Sequence, residues 1–275
     1  MPTEVSLRTL DGTRLSGTFT TPEAPVRAVV MVHGSGVTRD EVGLHPLLAA
    51  ALAEAGVASL RLDLPGHGTS GGRRVDLTLS GLLNTLDAGV TRLSALTGLP
   101  RVGIVAASLS GGVSAYFAAR RPESVDRLVL FYPLLDYRQR FVFEKPWWTG
   151  AGVTDAAAES LDRQGHVEHT PVFPLGRAML NEVFWLRPDL AFGDLTAPTM
   201  LIHGSADPTI PVASSEKAAA NLTVPHELVV LDGAGHGFSP AADTREAVAH
   251  SREWTAEAVA AATRWLTPPR PANLT

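Results

Sequence analysis

The chain has 275 residues, of which 45% are apolar and 19% charged, and its formal net charge is −5 at pH 7. That length can bury a full core within one domain, and the composition is that of an ordinary globular protein. The mild acidity, without any basic run, argues against nucleic acid or an anionic membrane surface as a partner. Cysteine is absent, which excludes disulfides, cysteine nucleophiles and thiolate metal sites.

The N-terminus, Met1-Pro2-Thr3-Glu4-Val5, lacks the basic and then apolar pattern of a signal peptide. No apolar run approaches the ~18 residues needed to span a bilayer. The expected location is the cytoplasm.

In chain order, Val5 to Leu10 and Arg14 to Thr20 flank Asp11-Gly12, which predicts a hairpin. The run Ala28 to Val32 is short, apolar and β-branched, as a buried central strand should be, and it ends in His33-Gly34-Ser35-Gly36. A helix is expected over Pro46 to Ala55, with Gly56 at its C-cap. Val57 to Leu62 is a strand, followed by the loop Asp63-Leu64-Pro65-Gly66-His67-Gly68-Thr69-Ser70. Next come a helix over Leu77 to Leu96, a strand over Val102 to Ala106, a helix over Leu109 to Arg120 and a strand over Arg127 to Tyr132. Strands alternating with helices of this length imply parallel pairing, with helices on both faces of one sheet.

The rhythm breaks over residues 133–197, a stretch rich in aromatic residues that includes Trp147, Trp148, Phe173, Phe184 and Trp185. It is too long for a connection and reads as an inserted helical cap. Alternation then resumes: Thr199 to His203 and Glu227 to Leu231 as strands, Pro211 to Ala220 and Asp243 to Trp265 as helices. The division expected is a core of 1–132 and 198–266, a cap of 133–197 and a flexible tail of 267–275.

In such a sheet, reacting groups gather at the carboxyl ends of the strands. A serine on the sharp turn between a strand and a helix stands exposed there, provided the residues two before and two after it are small, usually glycine. Two serines compete in Ala106-Ala107-Ser108-Leu109-Ser110-Gly111-Gly112. Ser110 would have Gly112 two residues on, which suits the glycine rule. Ser108 follows a strand of natural length and occupies the turn itself. These considerations leave both open.

The stretch Val102-Gly103-Ile104-Val105-Ala106-Ala107-Ser108-Leu109-Ser110 resembles the elbow of the acyl-carrier-protein thioesterases (acyl transferases) of bacterial luminescence, members of the α/β-hydrolase superfamily. That family uses A-x-S-x-S, and its nucleophile is the first serine. The resemblance implies Ser108 as the nucleophile and an α/β-hydrolase fold. The loop Asp63 to Gly68 and the segment His33 to Gly36 look more like common esterases and peptidase-like hydrolases.

A serine hydroxyl needs a base to take its proton, and histidine suits that role. His236 sits in the glycine-rich loop Leu231-Asp232-Gly233-Ala234-Gly235-His236-Gly237-Phe238, between the last strand and the closing helix. The order serine, acid, histidine fits this fold. The acid expected is Asp207, in His203-Gly204-Ser205-Ala206-Asp207, whose pattern resembles the acid loop of many hydrolases. Asp136 is a rival after the preceding strand, and Asp232 reads as a turn residue. An oxyanion needs preorganised N–H donors. Those expected are the N–H of Leu109 and that of Ser35, with Gly36 as an alternative, while the His33 side chain braces the loop.

His166-Val167-Glu168-His169 lacks a third ligand at a metal-site spacing, and Gly66-His67-Gly68 does not follow a phosphate-loop pattern. No metal or organic cofactor is expected. The function expected is a serine hydrolase that cleaves an ester or thioester through an acyl-enzyme. The acyl group would arrive on a small molecule or a carrier protein. Acyl transfer to an alcohol or amine is the alternative; a serine peptidase and a non-catalytic binding protein are the remoter ones.

Overall fold

The computed structural model describes residues 2–240 and 245–267. The expected tail beyond Thr267 and the expected helix start at Asp243 fall outside the described residues.

Two strands open the chain, β1 (Thr3–Arg8) and β2 (Arg14–Thr20), paired antiparallel around the Asp11-Gly12 turn. There follow β3 (Arg27–Val32), α1 (Leu44–Glu54), β4 (Val57–Leu62), α2 (Leu79–Thr97), β5 (Val102–Ala107), α3 (Ser110–Arg120) and β6 (Val125–Phe131). After residues 132–198 come β9 (Thr199–Gly204), α6 (Ala213–Asn221), β10 (His226–Leu231) and α7 (Arg245–Leu266). The intervening residues hold α4 (Asp155–Gln164), the hairpin β7 (His166–Thr170) and β8 (Phe173–Gly176), and α5 (Arg177–Trp185).

The eight-stranded sheet has the order β1-β2-β4-β3-β5-β6-β9-β10. It is parallel from β4 through to β10 and antiparallel at β1/β2 and β2/β4. The period-two alternation of a strand divides its apolar residues between two layers. Ala28, Val30 and Val32 of β3 join Ile104 and Ala106 of β5 beneath α2 and α3. Val29 and Met31 join Val105 and Ala107 beneath Leu48 and Leu52 of α1 and Ala258 and Ala262 of α7. Burial on both faces is why these strands read as continuous apolar runs.

The stretch between β6 and β9 is not wholly helical. His166 to Thr170 alternates in burial along β7 and pairs antiparallel with β8, so the expectation of helices alone needs correction. The residues did carry a period-two pattern, with Val167 buried between partly or fully exposed neighbours. Phe141, Leu161, Val167, Phe173, Met179 and Val183 are buried in the same cluster as α2 and α3, so this stretch shares the core of the sheet's one face. Its aromatic residues divide: Trp148 packs on Phe184 with ring centroids 5.1 Å apart, whereas Trp185 and Phe143 are exposed. Among the described residues, no helix is long and apolar enough to cross a membrane.

Candidate active site

The strands β3, β5 and β9 all end at one edge of the sheet, and each hands the chain to a loop carrying part of the site. Ser108 follows β5 directly and has φ +48°, in the left-handed region that a side chain disfavours. Such strain, typically about 1–3 kcal/mol, persists only where the surroundings over-determine it. Here they do. The Ser108 N–H donates to Phe131 C=O at 3.0 Å, and its carbonyl accepts from Gly111 N–H at 3.0 Å and Leu134 N–H at 2.8 Å. The Tyr137 hydroxyl adds a clamp by donating to the Leu109 carbonyl and accepting from Val113 N–H.

Ser110 lies elsewhere in this geometry. It begins α3, is buried, and donates its hydroxyl to the carbonyl of His33 at 2.6 Å. The second serine of the A-x-S-x-S pattern thus ties the elbow to the end of β3. Gly112, which favoured Ser110, and its neighbour Gly111 have another cause. A Cβ on Gly111 would stand 2.4 Å from Pro133 Cβ, and one on Gly112 would stand 2.9 Å from Leu134 O. The glycines let α3 pack against the chain leaving β6.

His236 lies in the loop after β10, and its Nε2 is 3.0 Å from Ser108 Oγ. Its Nδ1 is 2.7 Å from Asp207 Oδ2. Asp207 follows β9, and its other oxygen accepts the N–H groups of Thr209 at 2.8 Å and Ile210 at 2.9 Å. Burial alone would raise the Asp207 pKa. Hydrogen bonds from His203, His236 and the Ile210 backbone outweigh that and hold it well below the usual carboxylate range. An ionised carboxylate in this place fixes the imidazole with Nδ1 protonated and Nε2 free to accept from the serine. His203 is fully buried, and its Nε2 lies 2.9 Å from Ile210 O and 3.3 Å from Asp207 Oδ2. The rival carboxylates are engaged elsewhere: Asp136 accepts the Gln139 N–H, and Asp232 accepts the Ser205 hydroxyl.

The loop after β3 lies against the elbow. A Cβ on Gly34 would stand 2.9 Å from Ser108 Cβ and 3.5 Å from Ser108 Oγ, so only glycine fits there. The loop is held at three points. Gly34 N–H donates to Glu41 Oε2 at 2.7 Å, His33 Nδ1–H donates to Gly34 C=O at 2.7 Å, and Gly36 N–H donates to His67 Nε2 at 3.3 Å. His33 accepts the Leu64 N–H on its other nitrogen, which fixes its tautomer as neutral. Its burial pushes the pKa down to about 3. Gly34 and Gly36 N–H are engaged, whereas neither the Ser35 nor the Leu109 N–H finds an acceptor among the described residues.

Sequence reasoning missed Glu41, Tyr132 and the bracing role of His67. The Tyr132 hydroxyl donates to Glu41 Oε1 at 3.0 Å, and its ring meets that of His236 edge-on at 4.8 Å. A carboxylate in Thr38-Arg39-Asp40-Glu41 looks like any polar loop residue, so no signal marked it. Of the discounted histidines, His169 is wedged between Phe141 and Phe173, with ring centroids 5.0 and 6.2 Å away. Among the described residues, no group of three or more potential metal ligands comes together.

Comparison with known proteins places the chain in a family. A monoacylglycerol lipase of Mycolicibacterium smegmatis is 28% identical over 241 residues, covering 77% of this chain and 81% of that protein. The ferulic acid-bound structure of Est1E from Butyrivibrio proteoclasticus superposes with a TM-score of 0.72 at 20% identity, covering 93% of this chain and all of that one. Dienelactone hydrolase from Anabaena variabilis gives 0.65 at 22% identity, covering 96% of both chains. These structures share the fold. The family model of the serine aminopeptidases S33, Hydrolase_4, matches residues 23–171, more than half of the chain. By that match the chain belongs to the serine aminopeptidase S33 family of α/β-hydrolases.

Proposed function

We propose that the protein is a serine hydrolase that cleaves carboxylic esters through an acyl-enzyme on Ser108. The observation that carries this reading is the continuous relay from Ser108 Oγ through His236 to Asp207, at 3.0 and 2.7 Å. Ser108 attacks the ester carbonyl while His236 Nε2 takes its proton. The N–H groups of Leu109 and Ser35 receive the oxyanion, and His236 then protonates the departing alcohol. A water molecule, deprotonated by His236, attacks the acyl-enzyme and releases the acid. Asp207 orients the imidazole and balances its charge at both stages. The likeness to a monoacylglycerol lipase supports an ester of a fatty acid and a small alcohol as the substrate class.

In this reading residues 133–197 act as a cap over the acyl site. The tip of the β7–β8 hairpin meets the loop after β3: a Cβ on Gly36 would stand 2.6 Å from a Val172 methyl. The elbow residues Ala106 and Ser110 favour a second reading, in which the acyl donor is a thioester.

A matched panel of monoacylglycerols, p-nitrophenyl esters, acyl thioesters and aminoacyl amides tests both, with wild type and Ser108→Ala. Turnover of esters that vanishes in Ser108→Ala is expected. Amide hydrolysis faster than ester hydrolysis would replace the reading with a peptidase. Acyl products on an added alcohol in preference to free acid would replace it with a transferase.

A further inference from the structure

The relay accounts for three side chains, yet a fourth, a buried carboxyl group, lies beside them. Glu41 is only 6% exposed although it sits in a surface loop between β3 and α1. One of its oxygens takes the Gly34 N–H at 2.7 Å, and the other takes the Tyr132 hydroxyl at 3.0 Å. Burying a carboxyl group is unfavourable unless its hydrogen bonds compensate. Desolvation pushes its pKa up against both of those bonds.

Two further features show that the chain is bent to make this contact. Glu41 has φ +42° and Val42 φ +52°, and Tyr132 has φ +35°. None is a glycine, and strained backbone of this kind clusters at functional sites. The loop bearing Glu41 is itself anchored. Arg39 N–H donates to Asp63 at 2.8 Å, Glu41 N–H donates to Thr38 C=O at 2.9 Å, and Asp40 is ion-paired with Arg61 of β4.

Glu41 therefore joins the two halves of the site. On one side it holds Gly34, the residue preceding the free Ser35 N–H and lying against Ser108. On the other it holds Tyr132, whose ring supports the His236 imidazole.

We propose that Glu41 is a positioning residue: bridging Gly34 N–H and the Tyr132 hydroxyl, it sets the β3 loop so that the Ser35 N–H faces the oxyanion. It occupies the Gly34 N–H and so leaves Ser35 as the donor. It touches no substrate, and it acts with either ionisation state, since a protonated carboxyl group keeps an acceptor for Gly34. The inference rests on the acyl-enzyme reading of Ser108 given above.

The test compares wild type, Glu41→Ala, Glu41→Gln and Tyr132→Phe with a p-nitrophenyl ester, together with the inhibition constant of a trifluoromethyl ketone. Glu41→Ala is expected to lower kcat about 100-fold with KM within about 3-fold of wild type, as loss of one oxyanion donor does. Ketone affinity should fall with kcat/KM, because the hemiketal alkoxide needs the same donor. Glu41→Gln keeps a carbonyl acceptor of the same reach and should restore most of kcat. Tyr132→Phe should fall between the two and serves if Glu41→Ala does not fold.

A purely structural role would lower Tm while leaving kcat and ketone affinity of the folded protein at wild-type values, and that result overturns the inference. So does Glu41→Gln losing as much as Glu41→Ala, which would assign the effect to charge. A wild type that turns over no ester and takes no fluorophosphonate overturns the acyl-enzyme reading, and the inference with it. An active wild type matched by Glu41→Ala and Tyr132→Phe overturns the inference alone.

Discussion

At Ser108 three backbone hydrogen bonds hold one strained residue, and the neighbouring loop is pinned by Glu41, His33 and His67. At Val172, on the tip of the β7–β8 hairpin, the side chain is half exposed, and its carbonyl takes a single hydrogen bond from Arg74 at 3.1 Å. The two places meet at Gly36, yet they are held by different means. The first is built from hydrogen bonds that fix a group to within fractions of an ångström, as bond-making chemistry requires. The second is built from side-chain packing around Phe141, Val167 and Phe173, which fixes a shape and leaves its rim free to vary. Catalysis should therefore respond sharply to changes in the first and substrate preference to changes in the second.

The largest effect expected is from His236→Ala, which should lower kcat on the order of 10⁶-fold because nucleophile and base act as a unit. Asp207→Asn should cost about 10⁴-fold, by favouring the wrong imidazole tautomer. Steady-state kinetics on an ester read both, and a loss below about 10-fold for either would contradict the relay. Gly34→Ala comes next. Its Cβ would meet Ser108 Cβ, so the β3 loop must withdraw, and a loss of about 10²–10³-fold in kcat is expected. A wild-type rate in that variant would show the loop to be as tolerant as the hairpin tip.

Acid provides a milder probe of the same region. His33 and His45 are fully enclosed, and burial lowers their pKa values from 6.5 to about 3 and about 4. Between those values and 6.5 the unfolded chain binds protons that the folded chain does not, so stability rises with pH across this window. It is lost as pH falls from 6.5, at about 1.4 kcal/mol per pH unit per histidine. Asp207, whose folded pKa is depressed, adds its own loss only below about pH 4. Thermal unfolding should therefore show Tm falling between pH 6.5 and 4.5. A flat profile would mean that these histidines do not remain neutral in the fold. The smallest effect belongs to the hairpin tip. Val172→Gly should change stability by no more than about 0.5 kcal/mol, yet shift the kcat/KM ratio between long and short acyl esters by about 10-fold. An unchanged ratio would remove Val172 from the wall of the acyl site.

The same contrast explains what could be read from the sequence. The central strands were legible because burial on both faces leaves short apolar runs, and their ends pointed to Ser108, Asp207 and His236. Boundaries slipped where polar residues interrupt a strand near its start, as Asp126-Arg127 do in β6 after Val125. Choosing between Ser108 and Ser110 from spacing was ambiguous because Gly111 and Gly112 answer to Pro133 and Leu134, far along the chain. The β7–β8 hairpin was missed because a short alternating run beside a helix carries a weak signal. Glu41 and Tyr132 were invisible for a deeper reason: their contact joins residues 91 apart, and nothing local marks either one.

The central claim is that Ser108, rather than Ser110, forms a covalent acyl-enzyme. Intact-protein and peptide mass spectrometry after fluorophosphonate treatment tests it most directly. One adduct is expected, on Ser108, absent in Ser108→Ala and retained in Ser110→Ala, whose hydroxyl only ties α3 to His33. An adduct on Ser110, or one that survives in Ser108→Ala, would contradict the account.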